Sequence, residues 1–213
     1  MRTAPNRRGF AIVTWAVLIV MVVVAFELMQ DHSSQPSEAI VPGAVGPGRP
    51  SQQAPQPPAV MGNLLANGDF EEDLAGWRTV GPAVVERTLG GHASGTAAEV
   101  RLAGPSALVG LEFPGAVRSA PLRSEYVASV WVRASVPGLE VSISLVASSR
   151  WGREGTKVSA RSERPGRWRR VSVRHRVLVH DADVGVVVAA SRLPEGQMLE
   201  VDDVEVSLLE TER

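Results

Sequence analysis

Tyr126-Val-Ala-Ser-Val-Trp-Val-Arg-Ala134, followed by Ser135-Val-Pro-Gly138 and then Val141-Ser-Ile-Ser-Leu-Val-Ala147, is the stretch that decides the fold. Tyr126, Ala128, Val130 and Val132 alternate with Val127, Ser129, Trp131 and Arg133. After the Pro137-Gly138 break, Val141, Ile143, Leu145 and Ala147 resume the same period of two. Successive side chains of a strand point to opposite faces, so the spacing predicts two consecutive strands with a buried and a polar face. Downstream of the Arg164-Pro165-Gly166 turn, Val171, Val173, Val177 and Val179 share one face with His175, and Arg170, Ser172, Arg174 and Arg176 share the other. That is a half-buried strand with a basic outer row. Val184, Val186 and Val188 continue the pattern.

The last apolar run changes phase. Leu199 and Val201 are in one register and Val204, Val206 and Leu208 in the other, with the slip at Asp202-Asp203. A one-residue slip turns every later side chain to the opposite face, so keeping both sets in the core requires an extra residue, and a β-bulge is expected there. Short strands divided by Gly and Pro turns, with no amphipathic helix between them, predict an all-β antiparallel sandwich of about eight strands.

Upstream of this domain the chain divides into segments. Residues 1–8 form a short stub carrying Arg2, Arg7 and Arg8, and residues 9–29 are expected to span a membrane. Gly9 to Phe26 holds no charge, and at 1.5 Å per residue it covers about 27 Å, near the roughly 30 Å of a bilayer's hydrocarbon core. Arginines precede the segment and Glu27 and Asp31 follow it, so the positive-inside rule places the N-terminus in the cytoplasm and the C-terminal domain outside the cell. The alternative is a cleaved secretory signal; the apolar core is longer than such signals use and lacks a small-residue cleavage site, which favours a signal-anchor. Residues 30–61 are rich in Pro, Gly, Ser and Gln, with only Glu38 and Arg49 charged between Ser33 and Val60, a composition that buries no core and reads as a disordered linker. The sandwich is expected over 62–209, with a tail at 210–213.

Composition closes off several function classes. The chain has no cysteine, which removes disulfides, thiolate metal sites and cysteine nucleophiles. A net charge of −1 supplies no global field for nucleic acid, which is excluded as a partner. The sequence contains no Gly-x-Ser-x-Gly elbow, phosphate-cradling glycine loop or His-Glu-x-x-His helix, so no enzyme is expected. His180-Asp181-Ala182-Asp183 reads as an inter-strand turn. Lys157 is the sole lysine among 22 basic residues; with so much Ala, Val and Gly this compositional bias points to a high-GC bacterial source.

Asn63-Leu-Leu-Ala-Asn-Gly-Asp-Phe-Glu71 with Gly76-Trp77, Tyr126 to Ala134, Gly166-Arg-Trp-Arg-Arg-Val-Ser-Val173 and Leu199-Glu-Val-Asp-Asp-Val-Glu-Val206 occur in the order and spacing of a known family. Together they resemble the jelly-roll carbohydrate-binding modules of the four/nine and twenty-two type, which have the galactose-binding-domain-like fold. The resemblance covers nearly all of 62–209. It implies a calcium-binding position at Glu71 and Asp202, and a glycan-reading strand in which Trp131 and Arg133 are the matching ligand-binding positions. It also assigns Trp77 and Trp168 to packing.

Read from the residues alone, these sites have alternatives. Asp202 either joins Glu71 in holding calcium, a hard cation taking six to eight oxygens, or caps the bulge through backbone amides. Trp131 either offers a ring face to a sugar or belongs to a covered face. Trp151, in Ser149-Arg-Trp-Gly-Arg-Glu-Gly155, is either an exposed ligand-binding residue or a loop aromatic folded over the sandwich edge. The arginines from Arg161 to Arg176 either match an anionic glycan, wall polymer or lipid head group or form a solvated face. Two functions follow: a membrane-anchored module holding a glycan or cell-wall polymer without catalysis, or a scaffold ectodomain that contacts an envelope protein and binds no sugar.

Overall fold

The computed structural model describes residues 62–93 and 95–209. The expected stub, membrane span and linker, and the tail at 210–213, lie outside the described residues. No helix among the described residues is long and apolar enough to cross a membrane.

Ten strands are present among the described residues: β1 (Arg78–Val80), β2 (Ala83–Leu89), β3 (Thr96–Leu102), β4 (Leu108–Ala120), β5 (Glu125–Ala134), β6 (Glu140–Ser149), β7 (Gly152–Arg161), β8 (Arg169–Arg176), β9 (Ala182–Ser191) and β10 (Met198–Leu209). They form two five-stranded sheets, β1-β4-β9-β6-β7 and β2-β3-β10-β5-β8, and all neighbours are antiparallel. The expectation of about eight strands is corrected to ten. β4 contains Pro114 and Gly115 and shifts register between Phe113 and Val117 and again before Ala120, so its sequence reads as a break. The edge strand β7 is mostly polar and shows no alternation of its own.

The core forms where the inner faces of the sheets meet. Tyr126, Ala128, Val130 and Val132 of β5 are buried, as are Val141, Ile143, Leu145 and Ala147 of β6 and Val184, Val186 and Val188 of β9. Strand β8 alternates exposed arginine and serine with buried Val171, Val173 and His175. Val and Ala supply most of the interior, so stability comes from many small burials, about 1.5 kcal/mol or more for each Val and less for each Ala, with Phe70 and Tyr126 among the largest fully buried side chains.

The bulge lies where the phase slip placed it. Asp202 pairs with Trp131 and Glu205 with Ser129, so Asp203 and Val204 together face Val130 alone. Asp203 takes a left-handed φ of 46°. Val201, Val204 and Val206 all remain buried in consequence. The opening segment clamps this irregular half of β10: Asn63 donates from Nδ2 to the Val204 carbonyl at 3.2 Å, and its Oδ1 accepts from Val206 N at 2.9 Å. Val204 N donates to the Gly68 carbonyl at 2.8 Å and Leu64 N to the Val206 carbonyl at 2.7 Å. The opening segment therefore packs beside the C-terminal half of β10.

Candidate functional site

Ser129, Trp131 and Arg133 lie on the outer face of β5, as the alternation requires. Register sets their neighbours: Trp131 stands opposite Asp202 of β10 and Arg170 of β8, and Arg133 opposite Glu200. Arg133 donates from Nε and Nη2 to the two oxygens of Glu200, at 2.5 and 2.6 Å, and from Nη2 to the Gly90 carbonyl at 3.0 Å. The hydrogen bond it donates to Glu200 holds the Arg133 pKa above its ordinary value. The guanidinium also stacks over the Trp168 ring, 4.6 Å from its centroid. Below this pair, Arg170 donates to Ser129 Oγ at 2.8 Å and to Glu205 at 3.1 Å.

The β2–β3 turn completes the cluster. Gly90 N donates to the Gly95 carbonyl at 2.9 Å, closing a loop that folds over the outer face. It lays His92 flat on Trp131, with ring centroids 3.6 Å apart and planes 13° apart. His92 N donates to Asp202 Oδ2 at 2.6 Å, and its Nδ1 lies 2.9 Å from Asp203 Oδ2. Trp168 meets the same imidazole edge-on at 6.0 Å. One face of Trp131 is thus occupied by a neighbouring ring, and Arg133 is held by Glu200, Gly90 and Trp168. A sugar can stack on that face of Trp131 only after the His92 turn moves.

Trp151 stands apart from this group. It lies at the tip of the β6–β7 hairpin in the other sheet, 67% exposed, with Arg150 over its ring at 4.5 Å. Its neighbours are the loops at the end where β5 begins: Glu154, three residues on, accepts a hydrogen bond from Leu178 N, and Val177 exchanges backbone hydrogen bonds with the 123–124 turn. Leu178 and Leu122 are exposed at the same end of the sandwich, so this end carries apolar side chains. Trp77, by contrast, packs against Phe70 and Phe113 and donates from Nε1 to the Asn67 carbonyl, a structural placement.

Glu71 and Asp202 both reach the Gly90–Thr96 turn. Glu71 Oε1 accepts from Thr96 N and Thr96 Oγ1, each at 2.8 Å, while Asp202 accepts His92 N at one oxygen and Asp203 N at the other. Two carboxylates on one turn fit a hard cation in donor type. The carbonyls of Phe70, Glu71 and Glu72, however, all accept from the Arg87 guanidinium. No group of three or more His, Asp or Glu residues that could hold a metal occurs among the described residues.

Sequence reasoning found Trp131 and Arg133 by their phase but not His92, which reaches Trp131 only through the fold of a glycine turn. It also gave Trp168 to packing, although this ring is half-exposed beside Arg133 and forms part of a cavity wall.

No protein-family model matches the sequence, and no curated protein matches it. Solved structures do. The N-terminal family 22 carbohydrate-binding module and catalytic module of the Clostridium thermocellum endo-1,4-beta-D-xylanase 10B, complexed with xylohexaose, matches 71% of this chain at 17% identity with a TM-score of 0.56. This match spans 29% of that protein's length. The second family 22 xylan-binding domain of Paenibacillus barcinonensis xylanase 10C matches 66% of this chain and 97% of its own, at 18% identity and a TM-score of 0.51. A family 61 module in complex with beta-1,4-galactotriose matches 68% of this chain and 97% of its own, at 17% identity and a TM-score of 0.50. The described domain is a jelly-roll β-sandwich with the fold of carbohydrate-binding modules of families 22 and 61.

Proposed function

We propose that this protein is a membrane-anchored, extracytoplasmic carbohydrate-binding module that holds a glycan or cell-wall polymer and performs no catalysis. The observation that carries the reading is the fold itself, since the structures matched over nearly their whole length include a xylan-binding domain and a module in complex with beta-1,4-galactotriose. The strip formed by Trp131, His92, Arg133 and Trp168 supplies aromatic edges and hydrogen-bonding groups on one sheet face, the combination a pyranose needs for C–H stacking and hydroxyl recognition. Residues 9–29 would hold the chain in the membrane with the sandwich outside. Calcium bound by Glu71 and Asp202 would fasten the turn that carries His92. Affinity electrophoresis of the protein against neutral and acidic polysaccharides, with Trp131→Ala alongside, tests this: retardation lost in the variant supports it, and no retardation by any polysaccharide overturns it.

The exposed side chains of Trp151, Leu178 and Leu122 favour a second reading, in which an envelope protein docks on that end and no sugar is bound. Co-purification of one stoichiometric protein that Trp151→Ser releases, with no glycan response, would select it.

A further inference from the structure

At the end of the sandwich opposite the Trp151 tip, β5 finishes at Ala134, β7 finishes at Arg161 and β8 begins at Arg169. A cavity of about 380 Å³ opens between them, inside the roughly 300–1,000 Å³ range of small-ligand sites. Its floor is apolar, made of Val132, Ala134, Val141 and Ala160, and Trp168 stands in the wall. The rim is a fixed loop. Gly138 N donates to the Ser162 carbonyl at 2.6 Å, Ser162 N to the Leu139 carbonyl at 2.8 Å and Gly166 N to the Ala134 carbonyl at 2.9 Å.

Four arginines line this cavity, Arg161, Arg164, Arg167 and Arg169, against one carboxylate, Glu163. Only Arg169 is near that carboxylate, at 3.5 Å, and it also donates to the Arg161 carbonyl at 2.7 Å. Arg161, Arg164 and Arg167 form no ion pair among the described residues. Arg118, Arg133 and Arg170, by contrast, each have a carboxylate partner. Guanidinium groups bind carboxylate and phosphate in a planar, two-pronged geometry, and an apolar floor beside an indole suits the C–H face of a sugar ring.

We infer that this cavity binds an acidic glycan, a sugar bearing a carboxylate or phosphate whose oxyanion meets Arg164 and Arg167 and whose ring rests against Trp168. The inference rests on the carbohydrate-binding reading above and adds the class of ligand. The indole of Trp168 beside the apolar floor suits a sugar ring, which favours a glycan over a lipid head group.

The test uses the full-length chain in a polyoxyethylene detergent, because alkyl-glycoside detergents carry competing sugars. Polygalacturonate, its carboxyl-reduced neutral counterpart, a phosphomannan and vesicles containing phosphatidylglycerol serve as probes. Arg164→Ala/Arg167→Ala is compared with Arg174→Ala/Arg176→Ala, which removes the same charge from the exposed row of β8. The expected result is binding of polygalacturonate or phosphomannan but not of the reduced polymer, weakened by about tenfold or more in the cavity variant alone, the size of one lost charge-assisted hydrogen bond. The binding should also weaken with added salt. Which of the two acidic polymers binds distinguishes carboxylate from phosphate. Equal binding of neutral and acidic polymers, or equal loss in both double variants, overturns the inference and leaves the glycan reading standing. Failure to bind any polysaccharide overturns both, and binding of the vesicles alone replaces the glycan with a lipid.

Discussion

Replacing Asp202 by alanine should be among the most costly single changes outside the apolar core. Asp202 is fully buried, and its carboxylate accepts two backbone amides: His92 N at 2.6 Å, which fixes the turn over Trp131, and Asp203 N at 2.7 Å, which fixes the left-handed residue of the bulge. Each is a charge-assisted hydrogen bond worth about 1.5–3 kcal/mol, and truncation leaves both amides without this acceptor in a protein interior. The expected loss is about 3–5 kcal/mol, which for a domain of this size lowers Tm by roughly 8–15 °C. Asp202→Asn keeps one acceptor and should lose about half as much. Calorimetry of the two variants in chelator checks the values, and Trp fluorescence reports release of His92 from Trp131. A loss below about 1 kcal/mol for Asp202→Ala would refute the view that this side chain organises the bulge and its turn.

Four further outcomes follow from the same geometry. Gly68→Ala would place a Cβ 2.0 Å from the Val204 carbonyl oxygen, so the opening segment must shift from β10, and urea unfolding should show a loss of about 2–3 kcal/mol. Burial holds the His175 pKa below 6.5, with the nearby Glu154 carboxylate opposing it, so the folded state keeps the ring neutral while the unfolded chain takes up a proton. Stability is then fully present above about pH 6.5 and falls as pH drops below it, and the Tm difference between wild type and His175→Gln should change over that window. His92→Ala should free one face of Trp131; if Trp131 is a sugar platform, affinity for neutral glycans rises in this variant and vanishes in Trp131→Ala, as read by affinity electrophoresis. If Glu71 and Asp202 hold calcium as proposed, calcium added at 100 times its Kd to chelated protein stabilises it by about 2.7 kcal/mol and Glu71→Gln diminishes that Tm shift, whereas an unchanged Tm on calcium addition removes the ion from the proposal.

The fold was legible where burial imposes a period of two. In β5, β8 and β9 the inner positions are Val or Ala almost without exception, and in β10 the phase slip announced the bulge because Val204 and Val206 could reach the core in no other way. Strands without such a face were hidden. β7 is an edge strand with only half-buried and exposed residues, and β4 bends through Pro114 and Gly115, so both depend on their partners for definition. The site was legible in one dimension only. The outward phase of Trp131 and Arg133 follows from alternation, but the ring that covers Trp131 arrives from the β2–β3 turn. Trp151 and Trp131 looked equivalent as aromatics near arginine, yet they belong to different sheets. The arginine-lined cavity needs β5, β6, β7 and the 161–169 loop together, and no local pattern marks it.

The central claim is that this sandwich holds a carbohydrate. Isothermal titration of the full-length chain with xylohexaose, galactotriose and oligogalacturonate tests it most directly. The account predicts saturable heat with at least one of these, removed by Trp131→Ala or by Arg164→Ala/Arg167→Ala in a protein of unchanged Tm. A folded domain giving no heat with any oligosaccharide, while retaining a protein partner through Trp151, would contradict it.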